Sequence, residues 1–272
     1  MLKKRIIPVI LLKNGRVVQS KLFKRHQVLG NSSLIASRFS NWNVDELIIL
    51  DISRERKYDI NREDLNYQNL DSILAIFKDF SRKSFMPLTL GGGVKTLSDI
   101  EDRLRAGADK VAINSAAIHQ PDFLEKAAGR FGSQALVASI DALELGTDCW
   151  EVFTDFGKTA TGLNPLNAAQ RLESAGAGEI LVNSINRDGQ CQGFDMPLIS
   201  AVTESVNVPV IGLGGGGTTQ HFVECFENTK VSALAASNIF QYTEQAVFNL
   251  NHELNTLGIN IRPAAISNME TF

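Results

Sequence analysis

The sequence predicts one (β/α)8 barrel, and three observations predict it. Eight short apolar runs recur along 272 residues. Segments between them place apolar residues at i, i+3 and i+4, the period of an amphipathic helix. The chain also resembles itself across its two halves, so the barrel reads as two similar βα4 halves.

The predicted strands are 5–12 (RIIPVILL), 46–52 (ELIILDI), 86–92 (MPLTLGG), 110–114 (KVAIN), 135–142 (ALVASIDA), 179–185 (EILVNSI), 208–215 (VPVIGLGG) and 231–237 (VSALAAS). These are continuous apolar runs, as expected of parallel strands buried on both faces. Lys13-Asn14-Gly15 reads as a turn after the first. NLDSILAIFKDFSRK and LNPLNAAQRLESAGAG show the helical period. Eight such units close a barrel; an open doubly wound sheet is the competing architecture. The repeat supports closure. Pro87 to Ser115 and Pro209 to Ser237 each span 28 residues, an offset of 122. Glu46 falls opposite Glu179 and Asp51 opposite Ser184, an offset of 133. The first half therefore carries about 11 extra residues, which fit the charged stretch RERKYDINREDLNYQ, a surface loop by composition. Residues 1–262 read as the barrel and 263–272 as a patternless C-terminal tail.

Composition narrows the function. A net charge of −3 and a pI of about 5.9 argue against a nucleic-acid surface. Cys149, Cys191 and Cys225 are far apart and odd in number, so neither a disulfide framework nor a metal site is expected. His26, His119, His221 and His252 are scattered and read as surface residues; no metal and no cofactor are expected. The apolar run near the N-terminus reads as a strand and not a signal peptide. No run reaches the roughly 18 apolar residues of a membrane span, and a cytoplasmic location is expected.

Glycine clusters carry the first chemical signal. Gly91-Gly92-Gly93 follows the third strand, and Gly214-Gly215-Gly216-Gly217 follows the seventh. In a barrel both lie at the C-terminal face, where the active site is built. Glycine lets backbone N–H groups approach an anion, and the next helix adds its positive end. Ser115 and Ser237 end the next strands. Each pair reads as a phosphate clamp, and the two together fit one ligand with a phosphate at each end. The bland alternative is that the glycines only make tight turns.

The strings KRII, KNGRVV, DELIILDI, GGG, GADKVAINSAA, FGSQALVASIDA, GAGEILVNSINRDG, GFD and LGINIR resemble the HisF family, the cyclase subunit of imidazole glycerol phosphate synthase. The resemblance covers nearly the whole chain. It implies a phosphorylated small-molecule ligand and a HisH-like glutaminase docked on the N-terminal face, sending ammonia through the barrel. It also implies a general acid and a general base, aspartates ending strands 1 and 5. Asp141 is the strand 5 aspartate. Position 11 should hold the other, and it is leucine. Leucine exchanges no proton, and losing such a group costs about 10²–10⁴ in rate.

Arg5, Glu46, Lys110 and Glu179 match the family's charged ring, the gate of the ammonia tunnel. Two cations and two anions near the strand starts make a neutral set. A plain salt-bridge layer is the alternative. Asp51, Asn114, Asp188 and Asp195 match polar ligand-site positions. Gln19 replaces a mobile-loop lysine, Asn186 a common acid, and Leu213 a small polar residue. An apolar end to strand 1 and FMPL before the glycine loop also resemble the HisF-like WbuZ branch, which is associated with surface-polysaccharide genes. That resemblance implies delivery of ammonia to a sugar amidotransferase, with the barrel's own cyclase activity weakened or lost. Two alternatives stay open: a genuine histidine-pathway cyclase with Asp51 or Asp188 compensating for Leu11, and a non-catalytic scaffold that activates the glutaminase. An unrelated phosphosugar isomerase lacks support, because that branch's paired aspartates are missing.

Overall fold

The computed structural model describes residues 3–41, 44–54, 58, 70–83, 86–241 and 247–262. The first strand, β1 (Arg5–Lys13), turns back through the hairpin β2 (Arg16–Lys21) and β3 (Arg25–Asn31) into α1 (Ser32–Asn41). Then come β4 (Leu47–Asp51), α2 (Ile73–Lys83), β5 (Leu88–Gly91), α3 (Leu97–Arg105), β6 (Lys110–Ile113), α4 (Ser115–His119) and α5 (Pro121–Phe131). The second half runs β7 (Leu136–Gly146), β8 (Cys149–Thr154), β9 (Thr159–Ala160), α6 (Pro165–Ser174), β10 (Glu179–Ser184), α7 (Met196–Ser205), β11 (Val210–Leu213), α8 (Thr219–Asn228), β12 (Ala233–Ala236) and α9 (Val247–Thr256).

Eight strands are parallel and close a ring in the order β1, β4, β5, β6, β7, β10, β11, β12 and back to β1. Each predicted run coincides with one of them, although β1 runs on to Lys13 and β7 to Gly146, past the predicted ends at 12 and 142. The additional strands β2, β3, β8 and β9 are antiparallel extensions beyond β1 and β7. The turn at Lys13-Asn14-Gly15 is present, with Asn14 and Gly15 at φ of 50° and 75°. Most of the charged stretch after β4 and all of the tail after Arg262 lie outside the described residues.

Strand alternation sorts the apolar residues into two cores. Ile7, Val9, Ile48, Ala112, Val137, Leu181, Ile211, Leu213, Ala233 and Ala235 pack together inside the barrel, with Leu11 and Leu50 against them. Ile6, Ile10, Leu12, Leu47 and Ile49 point the other way and pack under the helices. Burial on both faces explains why the strands read as unbroken apolar runs.

The duplication is visible in the caps. Thr96 caps α3 by accepting from the Asp99 N–H, and Thr218 caps α8 by accepting from the His221 N–H. Both pairs differ by the offset of 122 found in the sequence. Gly92 and Gly214 share this offset and have φ of 104° and 101°. A side chain at Gly92 would strike the Asp51 carbonyl, and one at Gly214 would meet the Ser184 carbonyl at 2.9 Å.

Phe222 of α8 is fully buried, with its ring edge-on to Phe194 at 5.0 Å. Phe222→Ala is expected to cost about 3–5 kcal/mol through lost contacts and a residual cavity. A urea denaturation midpoint measures this.

Candidate functional site

At the N-terminal end of the barrel, four charges form a closed ring. Arg5 reaches Glu46 at 2.7 Å and Glu179 at 2.8 Å. Lys110 reaches the same two carboxylates at 3.0 and 2.8 Å. The Thr89 hydroxyl adds a bond to Glu46 at 3.2 Å. The Glu46 side chain is only 4% exposed, so these partners offset the cost of burying its charge. The four residues singled out in the sequence thus meet as one unit.

At the opposite end, the mouth is divided. Asp141 lies on β7, between Asn114 at the end of β6 and Asn183 on β10. Asn114 Nδ2 donates to Asp141 at 3.0 Å, and Asn183 Nδ2 donates at 3.4 Å. Across the ring lie Leu11 of β1 and its register neighbour Leu50 of β4, while Leu213 of β11 stands beside Asn183 and borders the polar group. The inward strand ends carry amide and carboxyl on β6, β7 and β10, and leucine on β1, β4 and β11. Burial pushes the Asp141 carboxyl up to about 7; the amide bonds oppose this and the charge of Asp188 adds to it. Such a group can hold or release a proton near neutral pH.

The glycine loops border this mouth. Gly91 packs against Leu50 and Ala112, and Gly93 faces open space. In the second loop, Gly215 is pressed against the Gly193 carbonyl and Gly216 against the Phe194 ring. Close packing thus demands glycine at most of these positions, whatever the loops bind. Ser115 opens α4, and its Oγ lies 3.3 Å from Asn114 Oδ1. Ser237 Oγ is buried and has no hydrogen-bond partner among the described residues, which leaves a donor for a ligand oxygen.

Residues 5–245 match the family described as histidine biosynthesis protein. The chain belongs to this family. A barrel with paired glycine loops at its mouth is therefore a histidine biosynthesis-type, HisF-like structure.

Within that frame, three acids sit differently from Asp141. Asp188, in the loop after β10, accepts from Ser20 Oγ at 2.7 Å and from the Phe23 N–H at 3.0 Å. The β2–β3 hairpin is thereby fastened to that loop, and Asn238 adds a bond to the Ser20 carbonyl at 3.0 Å. Burial raises the Asp188 pKa. Asp51, ending β4, accepts from Ser53 Oγ at 2.5 Å and from Tyr58 OH at 2.8 Å, and burial raises its pKa too. Asp195 is 4% exposed and caps α7. Its oxygens accept from Ser184 Oγ, Trp150 Nε1 and the Leu198 N–H, so it braces the strands beneath the mouth. Asn186 accepts from the Glu144 N–H at 2.8 Å and donates to the Glu144 carbonyl at 3.4 Å. An amide serves both ends of that contact, which a carboxylate cannot.

Asn183 was not singled out in the sequence. Parity points to it: Glu179, Leu181 and Asn183 share the inward face of β10. Among the described residues, no group of three or more His, Cys, Asp or Glu side chains is placed to hold a metal. No described helix is long and apolar enough to cross a membrane.

Asp141 has a folded pKa above the unfolded value of about 3.9. Its stabilisation is therefore complete below about pH 4 and is lost as pH rises through 7. Asp141→Asn removes this titration. Its stability relative to the parent is expected to rise by on the order of 2 kcal/mol between pH 5 and pH 8. Urea midpoints of both proteins at the two pH values measure this difference.

Proposed function

We propose that this chain is a HisF-like subunit that receives ammonia and passes it on, with its own cyclase step weakened or lost. The ammonia comes from a HisH-like glutaminase on the N-terminal face. It leaves at the mouth for a sugar amidotransferase of surface-polysaccharide synthesis. The observation that carries this reading is Leu11. It takes the inward position at the end of β1, across the ring from Asp141, and puts hydrocarbon where the cyclase step needs a second proton-transfer group.

The interior supports conduction. Between the charged floor and the mouth, the lumen is lined by Ile7, Val9, Ile48, Ala112, Val137, Leu181, Ile211, Ala233 and Ala235. Neutral ammonia can cross such a lining, whereas ammonium would lose its hydration without a counter-charge. The ring at the floor fits a gate. Each cation bridges both glutamates, so one cation can swing aside while the other keeps the glutamates paired. A ring that stays sealed would instead suit a scaffold that only activates the glutaminase. The glycine loops and Ser237 fit a ligand phosphorylated at both ends.

One observation favours a second reading, a genuine imidazole glycerol phosphate cyclase. Asp188 lies near enough to Asp141 to raise its pKa, as a second acid working with it would.

An ammonia-dependent cyclase assay with the histidine pathway's bisphosphate substrate separates these readings. The parent is expected to be inactive, and Leu11→Asp to gain turnover. Robust parent activity would overturn ammonia delivery as the main role. Its loss in Asp188→Asn would then assign the missing proton transfer to Asp188.

A glutaminase complex tests the gate. Lys110→Met leaves Arg5 as the one ring cation for Glu46 and Glu179. Glutamine-derived ammonia is expected to escape at the floor instead of reaching an acceptor at the mouth. Unchanged delivery would make the ring a structural salt-bridge layer.

A further inference from the structure

Behind the first glycine loop lies a buried cation that the reading above does not use. Arg103, on α3, is only 5% exposed. Its guanidinium donates to the Asp99 carbonyl at 2.7 Å and also to the Gly92 carbonyl. In a trans peptide, the carbonyl and the following N–H point in opposite directions. Holding the Gly92 carbonyl toward α3 therefore turns the Gly93 N–H away from α3, and a side chain placed at Gly93 would meet nothing within 4 Å. The same peptide is wedged from below, because Gly92 sits against the Asp51 carbonyl. Asp51 accepts from Ser53 and Tyr58, and the nearby charge of Arg103 lowers its pKa against the larger effect of burial.

The second half lacks this cation. The offset of 122 that carries Thr96 onto Thr218 carries Arg103 onto Cys225 of α8. Cys225 is fully buried, and burial pushes its thiol up to about 11, so it is neutral near pH 7. The two glycine loops thus share a backbone plan and differ in what lies behind them: Arg103 and Asp51, whose pKa the arginine's charge lowers, in the first half, against Cys225 and Ser184 in the second.

We propose that Arg103 is a positioning residue that aims the Gly92–Gly93 peptide at an anion and makes the loop after β5 the tighter of two phosphate sites. This rests on the phosphate reading of the glycine loops. The ligand chemistry is a phosphate monoester end, and the loop after β11 takes the weaker end.

The test is a titration of the ¹⁵N-labelled full chain with inorganic phosphate, followed at the Gly93 and Gly215 amides. In the parent, both amides are expected to shift, Gly93 at the lower concentration. Arg103→Met is expected to weaken the Gly93 response about ten-fold or more, as for loss of a charged hydrogen bond. The Gly215 response should stay as in the parent, and Arg103→Lys should restore part of the Gly93 response. An unaltered Gly93 titration in Arg103→Met would overturn the proposal. So would parent protein in which Gly215 saturates first, a result that needs no variant to fold. If neither amide responds in the parent, the phosphate reading of both loops fails with it. Loss of both responses in a folded Arg103→Met would show a general structural role and overturn the proposal.

Discussion

Strand alternation inside a closed barrel is the constraint on which the rest depends. A parallel strand packed on both faces must send every second side chain into the lumen and the others under the helices. On β1 this fixes Arg5, Ile7, Val9 and Leu11 as one inward column from floor to mouth. The neighbouring columns follow from register: Val9 lies beside Ile48 and Leu11 beside Leu50. On β7 the inward column is Val137, Ser139 and Asp141. Neither Leu11 nor Asp141 can exchange faces without moving its whole strand by one residue, which would bury the wrong half of the sequence. The contrast between the two strand ends is therefore a property of the site.

That constraint turns a sequence difference into a spatial division. Asn114, Asp141 and Asn183 share one arc of the mouth, and Leu213, Leu11 and Leu50 share another. Hydrocarbon opposite a carboxyl lowers the local dielectric and disfavours the ionised form, consistent with burial as the main cause of the raised Asp141 pKa. The amides compensate because each donates to the carboxylate. Asp141 is thus poised between protonated and charged states, with no second acid at the opposite strand end. The hairpin after β1 brings no carboxylate of its own. Its Ser20 hydroxyl and Phe23 N–H are spent on Asp188, the carboxylate whose charge reaches Asp141.

Much of this was legible in the sequence because it depends on periodicity and on glycine. The strand runs, the internal offset and the glycine clusters each reflect a local steric rule, so barrel, halves and loops could be read directly. The charged ring was legible because a lone charge at a strand start in an apolar run needs partners. Three-dimensional pairing was not. Asn183 looked like an ordinary polar residue at a strand end until its neighbour across the ladder proved to be Asp141. Asp195 looked like a site residue, but its oxygens go to a helix start, a hydroxyl and an indole. The β2–β3 hairpin escaped notice because β3 has no fully buried residue and shows no clean alternation.

The two halves share the glutamates of their floor, although both of its cations, Arg5 and Lys110, belong to the first half, and they have diverged at their mouth. Glu46 and Glu179 occupy matching places, and each accepts from both cations. Removing either glutamate would leave two half-buried positive groups short of a partner, so the floor tolerates little change. The mouth carries no such mutual dependence. Asp51 stands opposite Ser184 and Arg103 opposite Cys225, yet every one of these residues has found local contacts that suit it. A duplicated barrel is therefore free to specialise at the end where ligands enter, while the opposite end stays locked by charge neutrality. A leucine in place of a proton-transfer group is a change of this kind. It alters the chemistry available at the mouth and leaves untouched both the ring beneath it and the apolar lumen between.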